Sequence, residues 1–148
     1  MKPERPDTPT ELKVRALRFL VRRDHSRAEL ARKLAPYAES PPALEAVLND
    51  LEARRQLSDE RYAETRAQQL ARKYGAAKIR QDLKAHGVAD AIVDRIKPAG
   101  EEERARAILA RKYRDAATTL EEKARRARFL QSRGFSHETI RRALGLSE

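Results

Sequence analysis

Apolar residues return along this chain at intervals of three and four, in short runs broken by threonine, serine, proline and glycine. The pattern predicts amphipathic helices from end to end. Thr8-Pro9-Thr10-Glu11 opens the first with a capping threonine, a proline at the first helical position and a glutamate at the third. Leu12, Ala16, Phe19 and Leu20 form its stripe. Ser26-Arg27-Ala28-Glu29 reads as a second capping box ahead of Leu30 and Leu34. Ser40-Pro41-Pro42 starts a third helix carrying Leu44, Val47, Leu48 and Leu51.

The build then repeats. Ser58 caps a fourth helix with Asp59 and Glu60 in its first turn and Tyr62, Ala63, Ala67, Leu70 and Tyr74 as its buried side. Gly75 is expected to end it in the left-handed conformation. Ile79 and Leu83 mark a fifth helix ended by Gly87, and Val88, Ile92, Val93 and Ile96 a sixth closed by Pro98 and Gly100. Glu101 to Glu103 open a seventh around Ala105, Ile108 and Leu109. Thr118 or Thr119 caps an eighth, and Gly134 separates it from a ninth with Phe135, Ile140 and Leu144. The fold class expected is all-α: tandem three-helix repeats stacked into an elongated, curved array, because no triplet is large enough to bury its stripe alone. The triplets are expected at residues 10–57, 58–99 and 100–148, behind a tail of residues 1–9. Leu70-Ala71-Arg72-Lys73-Tyr74 recurs as Leu109-Ala110-Arg111-Lys112-Tyr113, which equates the fourth and seventh helices. A competing shift lays Phe19-Leu20 on Phe129-Leu130 and Ser26 on Ser136.

Composition narrows the chemistry. Cysteine is absent among the 148 residues, so disulfides, thiolate metal sites and thiol nucleophiles are excluded. His25, His86 and His137 stand far apart near helix ends, in no metal-ligand spacing, and read as solvated or capping groups. The glycines punctuate helices instead of forming a phosphate loop, and no nucleophile elbow occurs. A non-enzyme without cofactor or metal is expected. No apolar run approaches a membrane span and Met1 to Thr10 has no leader-like apolar core, which points to a cytoplasmic protein with no membrane partner. Asp59-Glu60-Arg61-Tyr62-Ala63-Glu64 is read as a helix start with dipole-matched carboxylates, ahead of an acidic contact site for a basic partner.

Net charge changes the picture most. Lys and Arg number 33 against 23 Asp and Glu, a surplus of +10, and Arg dominates the basic set. Every triplet carries part of that surplus, which suits a track along a polyanion or filament better than a single recognition helix. The candidate contact residues are Arg15, Arg18 and Arg22 on the first helix, Arg72, Lys73, Lys78, Arg80 and Lys84 in the middle triplet, and Arg125, Arg128 and Arg133 in the last. Pairs such as Glu11 with Arg15 are expected to absorb part of this charge. The aromatic residues fall on stripes, so no base-stacking platform is expected.

Three pieces in order resemble one known family. They are Leu57-Ser58-Asp59-Glu60-Arg61-Tyr62-Ala63-Glu64, then Tyr74-Gly75-Ala76-Ala77-Lys78-Ile79-Arg80-Gln81-Asp82-Leu83 with His86-Gly87-Val88, and Arg133-Gly134-Phe135-Ser136 with Ile140 and Leu144. Together with Arg23, Ser26, Glu29, Leu30 and Leu34, they are similar to the RecX family of recombinase regulators. Ala38-Glu39-Ser40-Pro41-Pro42 departs from it where a glycine is common. The resemblance implies a cytoplasmic protein that binds RecA filaments on DNA and modulates, mostly inhibits, recombinase, ATPase and coprotease activity in DNA repair and the SOS response, and a monomer is expected. Some members of the family also bind DNA directly, and the family brings no catalytic residue. Two other readings stand beside it: a sequence-independent DNA-binding module acting through phosphate alone, and a scaffold for another acidic protein.

Overall fold

The structure is a computed structural model and describes residues 4–146. Among them are nine α-helices and no strand: α1 (Pro9–Arg22), α2 (Arg27–Leu34), α3 (Pro41–Ala53), α4 (Asp59–Leu70), α5 (Ala76–Ala85), α6 (Asp90–Val93), α7 (Glu101–Lys112), α8 (Leu120–Ser132) and α9 (His137–Leu144). They form two compact units, the first of Met1–Thr65 with Lys84–Val93 and the second of Arg66–Leu83 with Asp94–Glu148. The division falls within α4 and again within α5.

In the first unit the stripes of α1, α2 and α3 meet. Leu12, Ala16, Leu30, Leu34, Leu48 and Leu51 are excluded from solvent, each buried leucine contributing about 1.5–3 kcal/mol. The helix starts follow their caps. Thr8 forms a full capping box with Glu11, and Ser40 accepts from the Ala43 N–H. Ser26 accepts from the Glu29 N–H but the box is not completed, because the Glu29 carboxylate pairs with both terminal nitrogens of Arg23. Ser26 is itself buried and donates its hydroxyl to the His86 carbonyl at 2.6 Å. The α2 N-terminus gains another acceptor from Asp59, whose Oδ1 takes the Arg27 N–H at 2.7 Å. Burial there pushes the Asp59 carboxyl up from its ordinary value. The Asp59 segment thus acts structurally. Just past the end of α3, Arg55 is a non-glycine residue at φ 58°.

The second unit packs α7, α8 and α9 around Ala105, Ile108, Leu109, Leu130, Phe135 and Ile140. Phe135 lies before α9, not on it. Ser136 caps that helix, so Phe135 and Ile140 occupy the two positions of a hydrophobic staple and join one core. Gly75 also departs from expectation: α4 stops at Leu70 and Gly75 has no positive φ. It is glycine because two backbones cross there. Its N–H donates to the Arg133 carbonyl at 2.8 Å, and a Cβ would stand 2.6 Å from the Gly134 carbonyl carbon. Gly134, at φ 91°, and Gly87, at φ 82°, do supply left-handed turns after α8 and α5. The sixth helix is only Asp90–Val93, with Ile96 outside it. Pro98 has no N–H to continue a helical ladder through that stretch.

Candidate functional site

Arginine and lysine are treated differently in the two units. In the first, cation after cation meets a carboxylate: Arg5 with Glu11, Lys13 and Arg54 with Asp50, Arg23 with Glu29, Arg27 with Glu45 and Glu52, and Arg61 with Asp24. Arg15 pairs with Asp7 at 2.7 Å, not with Glu11, and its guanidinium carbon lies 3.6 Å from the centre of the Tyr37 ring. The salt links hold Glu11 and Glu29 each at about 2, well below the ordinary carboxylate value. A depression in this unit, about 590 Å³, likewise mixes Glu52, Asp59 and Glu60 with Arg55 and Arg61. Arg61 donates there to the Arg55 and Gln56 carbonyls.

The second unit contains a cleft of about 420 Å³ lined by Arg72, Lys73, Arg111, Lys112 and Arg133, over a floor of Tyr74, Ile108 and Phe129. Among the described residues no carboxylate lines it, and none of these five cations forms an ion pair. Five like charges around one concavity repel each other and focus a positive field outward.

The cleft is made by the repeated pentapeptide. Arg72-Lys73 come from one copy and Arg111-Lys112 from the other. Arg111 Nη2 donates to the Arg72 carbonyl at 2.6 Å, joining the copies directly. Arg104, two turns earlier on the same face of α7, donates through Nη1 to the Ala71 and Tyr74 carbonyls at 3.0 and 2.9 Å, and through Nε to the Ala99 carbonyl. Two α7 arginines therefore satisfy carbonyls just past the end of α4, where a helix has acceptors without partners. Burial lowers the Arg104 pKa, and its Nη2 is enclosed without a hydrogen bond.

The expected contact residues separate accordingly. Arg72, Lys73 and Arg133 come together in the cleft. Lys78 is exposed, with its ammonium 3.5 Å from the Ser132 carbonyl, and Arg80 is half-buried. Arg125 and Arg128 are exposed on α8. Arg18 and Arg22 are exposed on α1, Arg15 is committed to Asp7 and Tyr37, and Lys84 lies 3.9 Å from Asp90. Arg111 and Lys112 were not among the expected residues, although the repeat that contains them is plain in the sequence. The aromatic floor is already covered: Lys112 Nζ stands 4.1 Å from the Phe129 centroid, and Arg133 Cζ stands 5.1 Å from Phe129 and 5.4 Å from Tyr74.

The histidines divide too. His25 is 2% exposed, so it is a core residue and not the solvated or capping group expected. His86 is half-buried and His137 exposed. Among the described residues there is no group of three His, Cys, Asp or Glu side chains that could hold a metal ion, and no helix long and apolar enough to cross a membrane.

These features define an all-α repeat protein whose most distinctive surface is a cleft of unpaired cations. Comparison with known proteins narrows the class. Residues 13–51, 58–95 and 100–144 match the models of the first, second and third three-helix domains of RecX, in that order. The chain is 45% identical over 141 residues to Regulatory protein RecX of Herbaspirillum seropedicae, covering 93% of this chain and 92% of that one. It is 46% identical over 140 residues to the protein of the same name from Leptothrix cholodnii, covering 93% and 89%. The crystal structure of RecX from Lactobacillus salivarius shares the fold, with a TM-score of 0.80 over 93% of this chain and 94% of that chain at 18% identity. The chain belongs to the RecX family of regulatory proteins.

Proposed function

We propose that this protein binds RecA filaments assembled on DNA and modulates them, mostly by inhibition, lowering recombinase, ATPase and coprotease activity. Membership of the RecX family supports a recombinase partner, and the unpaired cleft cations are the observation that carries the contact. Arg72, Lys73 and Arg133, joined by Arg111 and Lys112, form the central contact. Arg18, Arg22, Lys78, Arg80, Lys84, Arg125 and Arg128 add weaker ones. Arg15 contributes least, since Asp7 and Tyr37 hold it. Three triplets, residues 10–57, 58–99 and 100–148, would engage successive places on a filament, so that individually modest contacts gain from effective concentration. The protein would act as a cytoplasmic monomer without cofactor or catalysis.

The test is the ATPase rate of RecA on single-stranded DNA with rising amounts of this protein. A fall that saturates is expected, and an unchanged rate overturns the reading. The same cations favour a second reading, direct binding to DNA phosphate. Binding to RecA free of DNA at two salt concentrations separates them, because pure phosphate binding weakens steeply with salt and needs no recombinase.

A further inference from the structure

We infer that the cleft of the second unit is a receptor for an acidic peptide segment, taking two or more Asp or Glu side chains at once. The inference rests on the reading that the partner is a protein and names the chemistry by which that partner would be held.

Three observations on the cleft converge. Its five cations have no carboxylate partner among the described residues, whereas the first unit satisfies most of its cations internally. The site thus has unmet demand for anions at one place. Its rings already carry cations, Phe129 with Lys112 and Arg133 and Tyr74 with Arg133, while Tyr113 meets Phe129 edge-on at 6.3 Å. A nucleic-acid base stacking on these rings competes with the cations already there, which cuts into the about 1–3 kcal/mol per base that single-strand binders gain. Finally, the space is concave, about 420 Å³, and Ile108 lies in its floor.

A phosphodiester strand spaces its charges one per nucleotide and is held along grooves that track its backbone. Carboxylates on methylene stems reach into a recess, lay those stems on Ile108 and the ring edges, and present two oxygens to a guanidinium fork. Arg72, Arg111 and Arg133 supply forks, and Lys73 and Lys112 supply point charges beside them. The Arg111 bond to the Arg72 carbonyl fixes one fork before any ligand arrives, which lowers the entropy cost of binding.

The experiment uses the whole protein and fluorescence anisotropy of two labelled probes, octaglutamate and an oligothymidylate of equal charge. Octaglutamate is expected to bind more tightly. Lys73→Gln with Lys112→Gln is expected to weaken it by about tenfold or more, with helical content unchanged because both ammonium groups lie at the surface. Arg32→Gln with Arg141→Gln removes the same charge from exposed positions elsewhere and should alter binding by less than about twofold. Tighter binding of oligothymidylate, or equal losses in the two double variants, overturns the inference. RecA ATPase, read in parallel, keeps the two claims apart. Inhibition without octaglutamate binding overturns the acidic-peptide site and leaves the recombinase reading in place. Octaglutamate binding without inhibition does the reverse.

Discussion

The ammonium of Lys33 donates to Nε2 of His25 at 2.9 Å. On the other side of the ring Nδ1 lies 3.0 Å from the Arg23 carbonyl. A carbonyl only accepts, so Nδ1 carries the proton and Nε2 keeps its lone pair for Lys33. A second proton would point at a cation.

This arrangement predicts acid sensitivity. Burial chiefly pushes the His25 pKa below its ordinary 6.5; Arg23 and Lys33 add to the push, against the Arg23 carbonyl and Glu29. The unfolded chain then takes up a proton near 6.5 that the folded chain refuses. His25 contributes stability that is fully present above that pH and is lost as pH falls through the depressed folded value. Thermal midpoints measured from pH 7.5 down to 5 should fall, and His25→Gln should flatten that slope while lowering the midpoint at pH 7.5. The carboxylates act in a separate window. Glu29, held at about 2, contributes stability above its ordinary 4.5 that is lost as pH falls toward 2.

The backbone crossing at Gly75 admits no side chain. Gly75→Ala is expected to cost about 1–3 kcal/mol or more in urea unfolding, because the obstacle is backbone and not a flexible side chain. Arg55 presents the opposite case. Its φ of 58° strains a residue with a Cβ, so Arg55→Gly should be neutral or stabilise by about 1 kcal/mol.

Two serines with the same capping role should differ in cost. Ser26 and Ser136 each accept a backbone N–H three residues on. Ser26 is also buried and donates to His86, whereas the Ser136 hydroxyl meets Thr139 and the residue is exposed. Ser136→Ala should cost about 1 kcal/mol. Ser26→Ala should cost about 1–3 kcal/mol more, by removing a buried hydroxyl and its 2.6 Å hydrogen bond to the His86 carbonyl. Chemical denaturation of the two variants side by side checks the order.

Arg15 and Arg18 lie on one helix and should behave differently. Arg15→Gln breaks the Asp7 pair and the Tyr37 contact, so it should lower the thermal midpoint and leave the half-inhibitory concentration toward RecA within about twofold. Arg18→Gln, at an exposed position, should leave the midpoint unchanged and weaken the effect on RecA. Paired melting and ATPase titrations separate the two.

The helices were legible because their starts are written locally: Thr8, Ser26, Ser40, Ser58, Thr119 and Ser136 precede the predicted helices, and all six accept the backbone N–H three residues on in the same way. What escaped sequence reading depends on chain segments far apart. Gly75 looks like any helix terminator until the Gly134 backbone arrives beside it. His25 looks like a solvated turn residue until Phe19 and Lys33 enclose it. Charge is hardest of all, since Arg15 and Arg72 read alike in sequence, yet one meets Asp7 and the other lines an acid-free recess. Arg111 and Lys112 were recoverable from the doubled pentapeptide, had each copy been taken as half of one site.

That doubling sets a condition on how such a recess can arise. A lone Leu-Ala-Arg-Lys-Tyr turn has one wall, and the opposite wall is a second copy of itself seated through the Arg111 bond to Arg72. A shorter ancestor with a single triplet would have had the letters but no receptacle. Trimming the chain before Glu101 should therefore abolish the recess even though the first copy remains.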